Sequence, residues 1–400
     1  MADELWGPCD GKTIKEHAFG KGKVVWGRTL EEVFAQLELI PDFRQLTQNP
    51  GYPLRHIHRR VDEADIYFVA NPNPRPNKAE PLPGVPVSGP LFVECGFRVA
   101  GKQPELWHPD IGRIQKPAVW REQSGQTILS LRLDPGGSVF VVFRERSAGT
   151  DPVAAVKRDA NTDVTAEITT DQSGSFRLLA RKPGHYELKT VSGRWIQSDI
   201  KPLPEPVSIT GPWTLRFPQG GGAPEAVTLE NLISWTEHES AGVKYFSGTA
   251  TYSNVVRVPP ELIGPGRKLF LDLGKVQVIA QLTLNGRDLG TLWKPPFQIE
   301  VTDAIQAGDN VLEIKVVNLW PNRLIGDEQL PDDCEWQVSS SSLGAVLRGW
   351  PRWLLEGKPS PTGRLAFTTY KAWPKDAPLL ESGLLGPVML CPAVEVSVSR

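Results

Sequence analysis

The sequence predicts an almost wholly β fold: two β-sandwiches preceded by a short α/β remnant. Three observations carry this expectation. Glycine and proline number 37 each in 400 residues, and that density of chain breakers suits many short strands joined by turns. Runs of alternating apolar and polar residues recur, most clearly in "QTILSLRLDPGGSVFVVFRE", and period two is the signature of a half-buried strand. No amphipathic helical repeat, heptad or solenoid period is sustained.

The elements follow in chain order. "GKGKVVWGRTLEEVFAQLEL" reads as a strand from Lys23 to Trp26 and then a helix, with Thr29 as its cap and Glu31 and Glu32 in the first turn, where they suit the helix dipole. A lone strand and helix cannot bury themselves, so residues 1–55 are expected to be part of an α/β domain whose body lies elsewhere. Ile66 to Ala70 reads as a buried strand that ends at Asn71-Pro72-Asn73-Pro74. Pro135-Gly136-Gly137 and Lys182-Pro183-Gly184 mark two hairpin turns, and residues 56–205 are assigned to one antiparallel sandwich. The "PLPEP" stretch marks a boundary. Residues 206–400 form the second sandwich, with a hairpin at Asn285-Gly286 and a short connecting helix between Asp303 and Asn310. A long loop insertion is expected at about 328–376, including Ser339 to Ser342, and "SGLLGPVMLCPAVEVSV" closes the sheet.

Composition excludes several roles. The net charge is −2 with both signs interspersed, and no basic stripe recommends nucleic acid as a partner. No apolar run is long enough for a helix to span a bilayer, and the first residues show no secretion-signal pattern. The four cysteines, Cys9, Cys95, Cys334 and Cys391, are too dispersed for zinc spacing and read as buried thiols. No cofactor motif is present. Gly220-Gly221-Gly222 neither follows a Rossmann-type strand nor precedes Lys-Ser/Thr, and no GxSxG elbow occurs.

Four stretches carry chemistry-bearing side chains. Glu237-His238-Glu239 and Asp332-Asp333-Glu335 are acidic loops, read first as solvated. His56 and His58 project from one face of a strand, a ligand-like spacing, but Arg55, Arg59 and Arg60 oppose a bound cation, so hydrogen bonding is the leading reading and no metal is assigned. "NLWPNRLIGD" follows a strand. Asn318 can bond to backbone in the turn, and Arg323 and Asp327 stand four apart and can pair. Asn318, Arg323 and Asp327 are therefore assigned to a polar strut that pins a loop. A saccharide-contacting role for Trp293, Trp320, Asn322 and Arg323 stays open beside it, because eight of the 13 Trp lie after Val207 and flat rings stack on the apolar faces of sugars.

The motifs from Phe246 to Pro387, among them "FSGTATYS", "LNGRDLGTLWKPPFQIEVTDAI", "NLWPNRLIGD" and "GKPSPTGRLAFTTYKAWPKDAPLLESGLLGPV", resemble the C-terminal part of glycoside hydrolase family 106, the α-L-rhamnosidases. "VVWGRTLEEVF" and "HIHRRVDEADIYFVAN" resemble the stretch just upstream in the same family. The "LNGRDLGTLWKPPFQIEVTDAI" core is also similar to the galactose-binding-like jelly roll of family 2 glycosidases. In family 106 a long N-terminal region carries a catalytic barrel with its acidic residues and calcium, and no matching position exists here, so no catalytic residue is carried over. The resemblance implies a non-catalytic C-terminal portion that binds carbohydrate, rhamnose-containing or pectic, or serves as a scaffold. The alternatives are an accessory subunit docking onto a separately encoded barrel, which predicts an exposed apolar patch near Val24, Val25 and Phe34, and an active glycosidase using the loop carboxylates. The family is often secreted or periplasmic.

Overall fold

A computed structural model describes residues 2–47, 53–72, 90–338, 345–371 and 373–398. The chain is mostly β and builds several antiparallel, sandwich-like sheets. It divides into two compact units. One comprises Met1–Phe176 with Glu187–Ile196, and the other Arg177–Tyr186 with Gln197–Ser399.

The first unit opens on a small helix, Ala2–Trp6, and a two-stranded hairpin of Glu16–Phe19 against Gly22–Val25. Helix Leu30–Gln36 follows. Its Thr29 side chain accepts from the Glu32 backbone N–H while the Glu32 carboxylate accepts from the Thr29 N–H, a reciprocal capping box. Neither helix buries a residue, so this segment is organised by its caps and turns rather than by a core. Two larger sheets then face each other. One orders Phe43–Gln45, Leu91–Phe97, Gln126–Leu133 and Trp120–Gln123; the other orders Arg55–Val61, Ala64–Ala70, Ser138–Arg146, Lys102–His108 and Arg113–Gln115. Val93, Phe97, Leu129 and Leu131 from the first sheet close on Tyr67, Val141 and Phe143 from the second, and Phe97 meets Tyr67 edge-on with ring centroids 5.0 Å apart. The alternation in "QTILSLRL" and "SVFVVFRE" is what fills this core.

In the second unit a six-stranded sheet orders Ala226–Leu229, Trp213–Arg216, Thr249–Val258, Gly308–Val317, Ile279–Leu284 and Arg287–Leu292. Met389–Val398, Arg267–Asp272 and Gln298–Glu300 pair in a second sheet. Trp213, Tyr252, Leu282 and Ile314 from one side and Leu269, Leu271 and Leu390 from the other share a single core. The Gly308–Val317 strand alternates strictly, with Asn310, Leu312, Ile314 and Val316 buried. Asn285 and Gly286 both take positive φ, 52° and 78°, the backbone a tight hairpin with the right twist demands.

Two expectations need correction. Between Asp303 and Asn310 there is no helix: Ala304 and Ile305 N–H both donate to the Val301 carbonyl, which closes one turn before the Gly308–Val317 strand begins. Residues 328–376 are not only loop. Trp336–Val338, Ala345–Leu347 and Tyr370–Lys371 pair in a small sheet, accompanied by helix Arg352–Leu355. Ser339 to Ser342, and the turn at Asn73-Pro74, lie outside the described residues. No helix among the described residues is long and apolar enough to cross a membrane.

Candidate functional site

The site forms where the central strand Gly308–Val317 runs out. Its neighbour Thr249–Val258 starts opposite Val317, and beyond it Asn318 N donates to Gly248 O (3.3 Å), which leaves Gly248 N and Phe246 O for a side chain to satisfy. The Asn318 side chain extends the ladder by one more rung. Its Oδ1 accepts from Gly248 N (2.9 Å), and its Nδ2 donates to Phe246 O (2.9 Å) and to Ser382 Oγ (3.0 Å). A primary amide carries both a donor and an acceptor, which is why Asn can imitate a peptide group here.

Three residues on, Pro321 begins helix Pro321–Asp327. Proline suits the first helical position, because its missing N–H would be unpaired there in any case. Asn322, 1% exposed, repeats the imitation: Oδ1 accepts from Leu380 N (2.8 Å) and Nδ2 donates to Leu380 O (2.7 Å) and Ser382 Oγ (3.0 Å). The Ser382 hydroxyl donates to Leu380 O and accepts from both amides, so its one donor and two acceptor sites are filled. Ser247 Oγ donates to Leu319 O (2.9 Å) and accepts from Arg323 N (3.1 Å). Residues 246–248, 318–327 and 380–382 are thereby stitched together.

Arg323 and Asp327 are brought together, Nη2 to Oδ1 at 3.0 Å and both largely buried. The approach provides charge attraction without hydrogen-bond alignment: Arg323 Nε and Asp327 Oδ1 have no hydrogen-bond partner among the described residues. Asp327 Oδ2 accepts from Leu365 N (3.1 Å) and Ala366 N (2.7 Å). These donors offset the unfavourable placing of a carboxylate at a helix C-terminus. The glycine run beside them is there for close approach: a Cβ on Gly222 would lie 2.4 Å from Leu365 Cδ1.

Asn322 and Arg323 are thus largely buried, whereas Trp320 and Trp293 are 66% and 54% exposed. Val317 pairs with Ile279 and Leu292 with Ala280, so both indoles follow strand ends at the same end of the sheet. Leu319 and Ile279 add exposed apolar surface there.

Beyond the helix lies a charge cluster that sequence reasoning missed. Arg364, 9% exposed, donates to Glu328 Oε1 (2.8 Å), Asp332 Oδ1 (2.9 Å) and the carbonyls of Pro331 and Leu330. Lys371 reaches the same two carboxylates. The crevice that Glu328, Arg364 and Lys371 line with Tyr370 and Trp373 holds about 10 Å³, the space of a single water and too small for a glycosidic bond. Arg364 stands 36 residues from Glu328, which leaves no local signature to find.

The remaining candidates are dispersed. Glu237 and Glu239 are exposed, and His238 Nδ1 accepts from Ser240 N. Asp333 accepts from Ser360 Oγ and Cys334 Sγ, and Glu335 meets Arg348 on the surface. The His56 ring packs against Phe43; His58 stacks on Tyr67 at 4.0 Å and sits between Asp42 (3.1 Å) and Asp65 (3.2 Å). Burial drives the Asp65 carboxyl up, but the Lys102 ammonium and His58 outweigh it and hold it below the usual carboxylate range. Among the described residues no group of three or more His, Cys, Asp or Glu is arranged to hold a metal ion.

Residues 1–120 match the family model Glyco_hydro_106, alpha-L-rhamnosidase. A rhamnosidase structure from Novosphingobium sp. PP1Y is 29% identical, with a TM-score of 0.66, over 98% of this chain and 28% of its own. A Formosa agariphila protein provisionally named a beta-glucuronidase is 27% identical over 99% of this chain and 48% of its own length. A Ruminococcus gnavus beta-glucuronidase structure is 15% identical over 47% of this chain and 28% of its own, with a TM-score of 0.28. The chain therefore spans about half the length of the curated relative it matches and less of the solved rhamnosidase. Its first 120 residues are similar to family 106, and over 98% of its length the chain is similar to part of the solved rhamnosidase.

Proposed function

We propose that this chain is a carbohydrate-contacting scaffold portion of a rhamnosidase-like glycoside hydrolase and not its hydrolytic centre. One observation carries the reading: two largely exposed indoles, Trp293 and Trp320, stand at one end of a sheet whose strand end is fixed by the fully bonded Asn318, Asn322 and Ser382. A rigid mount lowers the ordering cost when a ring stacks on an aromatic face. Hydrolysis needs an acid and a second carboxylate facing across a bond. Glu328 and Asp332 instead share the cations Arg364 and Lys371, and the crevice beside Glu328 is water-sized.

Titrating rhamnosides and pectic oligosaccharides against intrinsic Trp fluorescence tests this. Binding should weaken by about tenfold, 1.4 kcal/mol, in Trp320→Ala or Trp293→Ala. No fluorescence response at millimolar saccharide removes the reading.

A second reading is favoured by a separate observation. Trp6, Trp26, Leu30, Phe34, Leu37 and Leu39 are all exposed within the first 40 residues, an apolar density that marks an interaction surface. In this reading the segment docks against a catalytic barrel, covalently joined or separately encoded. Co-elution with a family 106 catalytic domain, abolished by Phe34→Glu, supports it; separate elution of the wild-type chain removes it.

A further inference from the structure

We propose that a groove at the opposite end of the same sheet binds one neutral, polyhydroxylated ring, the size of a single monosaccharide unit. This rests on the carbohydrate reading above for the class of ligand, but on different residues. Arg287 and Trp293 stand six residues apart along one strand edge, about 20 Å at 3.3 Å per residue, so the groove is separate from the indole end.

The groove measures about 330 Å³ and is lined by Lys268, Arg287, Leu289, Glu300, Thr302 and Asp303. That lies at the small end of ligand pockets. Its polar lining is held in place from behind. Arg287 Nη1 donates to the Asp303 carbonyl (2.9 Å). Lys268 Nζ and Thr302 Oγ1 both donate to Glu300 Oε1 (2.8 and 2.9 Å), and Thr302 Oγ1 accepts from Leu269 N (3.1 Å). Asn285 Nδ2 ties the hairpin to the Ala304 carbonyl (3.0 Å).

The groups left over define the ligand. Arg287 has donors beyond Nη1, and these have no partner among the described residues; nor does the Asp303 carboxylate accept a hydrogen bond or pair with a cation within 4 Å there. A guanidinium donor beside a carboxylate acceptor matches two neighbouring hydroxyls, one accepting and the other donating. Leu289 offers an apolar wall for ring C–H groups. Two cations and two anions make the lining neutral overall, so a charged ligand meets an opposing charge along with each matching one.

The test is an amide shift titration of the ¹⁵N-labelled full chain with L-rhamnose and other neutral monosaccharides, with a uronate as the charged comparison. Shifts should appear at 287–289 and 300–304, with a Kd on the order of 1 mM. Arg287→Ala and Asp303→Asn should each weaken them at least about tenfold, while Trp320→Ala leaves them unchanged. Both substituted side chains are on the surface, and the spectrum away from the groove reports that each variant is folded. Shifts confined to the Trp293 and Trp320 end overturn the groove and leave the scaffold reading standing. Tighter binding of the uronate overturns the neutral class. Silence at both ends overturns both proposals.

Discussion

Replacing Asn318 by alanine removes three hydrogen bonds at a point where water has little access. Phe246 O is left unpaired in a buried setting and Gly248 N in a half-buried one. Each buried group left unsatisfied costs about 1–3 kcal/mol. Ser382 Oγ keeps its bonds to Asn322 and Leu380 and adds little. The expected loss is about 3 kcal/mol, or about 6–12 °C in the Tm of a unit of this size. Urea denaturation followed by Trp fluorescence measures it, since Trp213 and Trp235 lie in the core of the same unit. Asn318→Asp adds a sign test. It keeps the acceptor for Gly248 but turns a carboxylate oxygen toward Phe246 O. Burial, with the Phe246 carbonyl facing its second oxygen, raises that carboxyl's pKa in the folded state, so the variant should regain stability on acidification and lose it as pH rises. A loss below about 0.5 kcal/mol for Asn318→Ala, the range of an ordinary surface change, refutes the strut.

Two further outcomes follow from the same unit and its neighbour. Gly383 has φ +102°, and a Cβ there would lie 2.5 Å from Trp235 Nε1 and 2.6 Å from the Tyr252 hydroxyl. Gly383→Ala should therefore lower stability by about 3 kcal/mol and change the near-UV circular dichroism of Trp235; a wild-type midpoint and spectrum contradict this. Burial, with Glu94 adding to it, pushes the Cys95 thiol up from 9.0 to about 12, and burial pushes the Tyr252 hydroxyl up from 10.0 to about 12. Both groups bind their proton more tightly when folded, so their stabilising contribution is complete below about pH 9 and declines as pH rises toward 12, by up to about 1.4 kcal/mol per group and pH unit. Urea midpoints between pH 7 and 10.5 should fall, less steeply in Cys95→Ala; a flat profile contradicts the shift.

Local features of the fold were legible because their causes are local. Thr29 caps its helix through Glu32 three residues on, and Asn285-Gly286 turns its hairpin on two positive φ values. The alternation of Gly308–Val317 announces its buried face. What was not legible depends on distance along the chain. Pro321 sits at the first position of a helix that the sequence pattern does not announce, since seven residues leave too little periodicity. Asn322 finds its partners 58 and 60 residues away at Leu380 and Ser382, and its burial comes from a segment that no spacing rule connects to it. Arg323 and Asp327, four apart, come together in the fold, but the backbone donors of Leu365 and Ala366 that hold Asp327 could not be foreseen.

The division between holding a sugar and cleaving it is tested most directly by following binding and turnover in one sample of the purified 400-residue chain with an aryl α-L-rhamnoside. Saturable quenching of Trp fluorescence, lost in Trp320→Ala, with no release of the aryl alcohol above the uncatalysed rate, is the predicted result. Release that Glu328→Gln, Glu237→Gln or Glu239→Gln abolishes contradicts it.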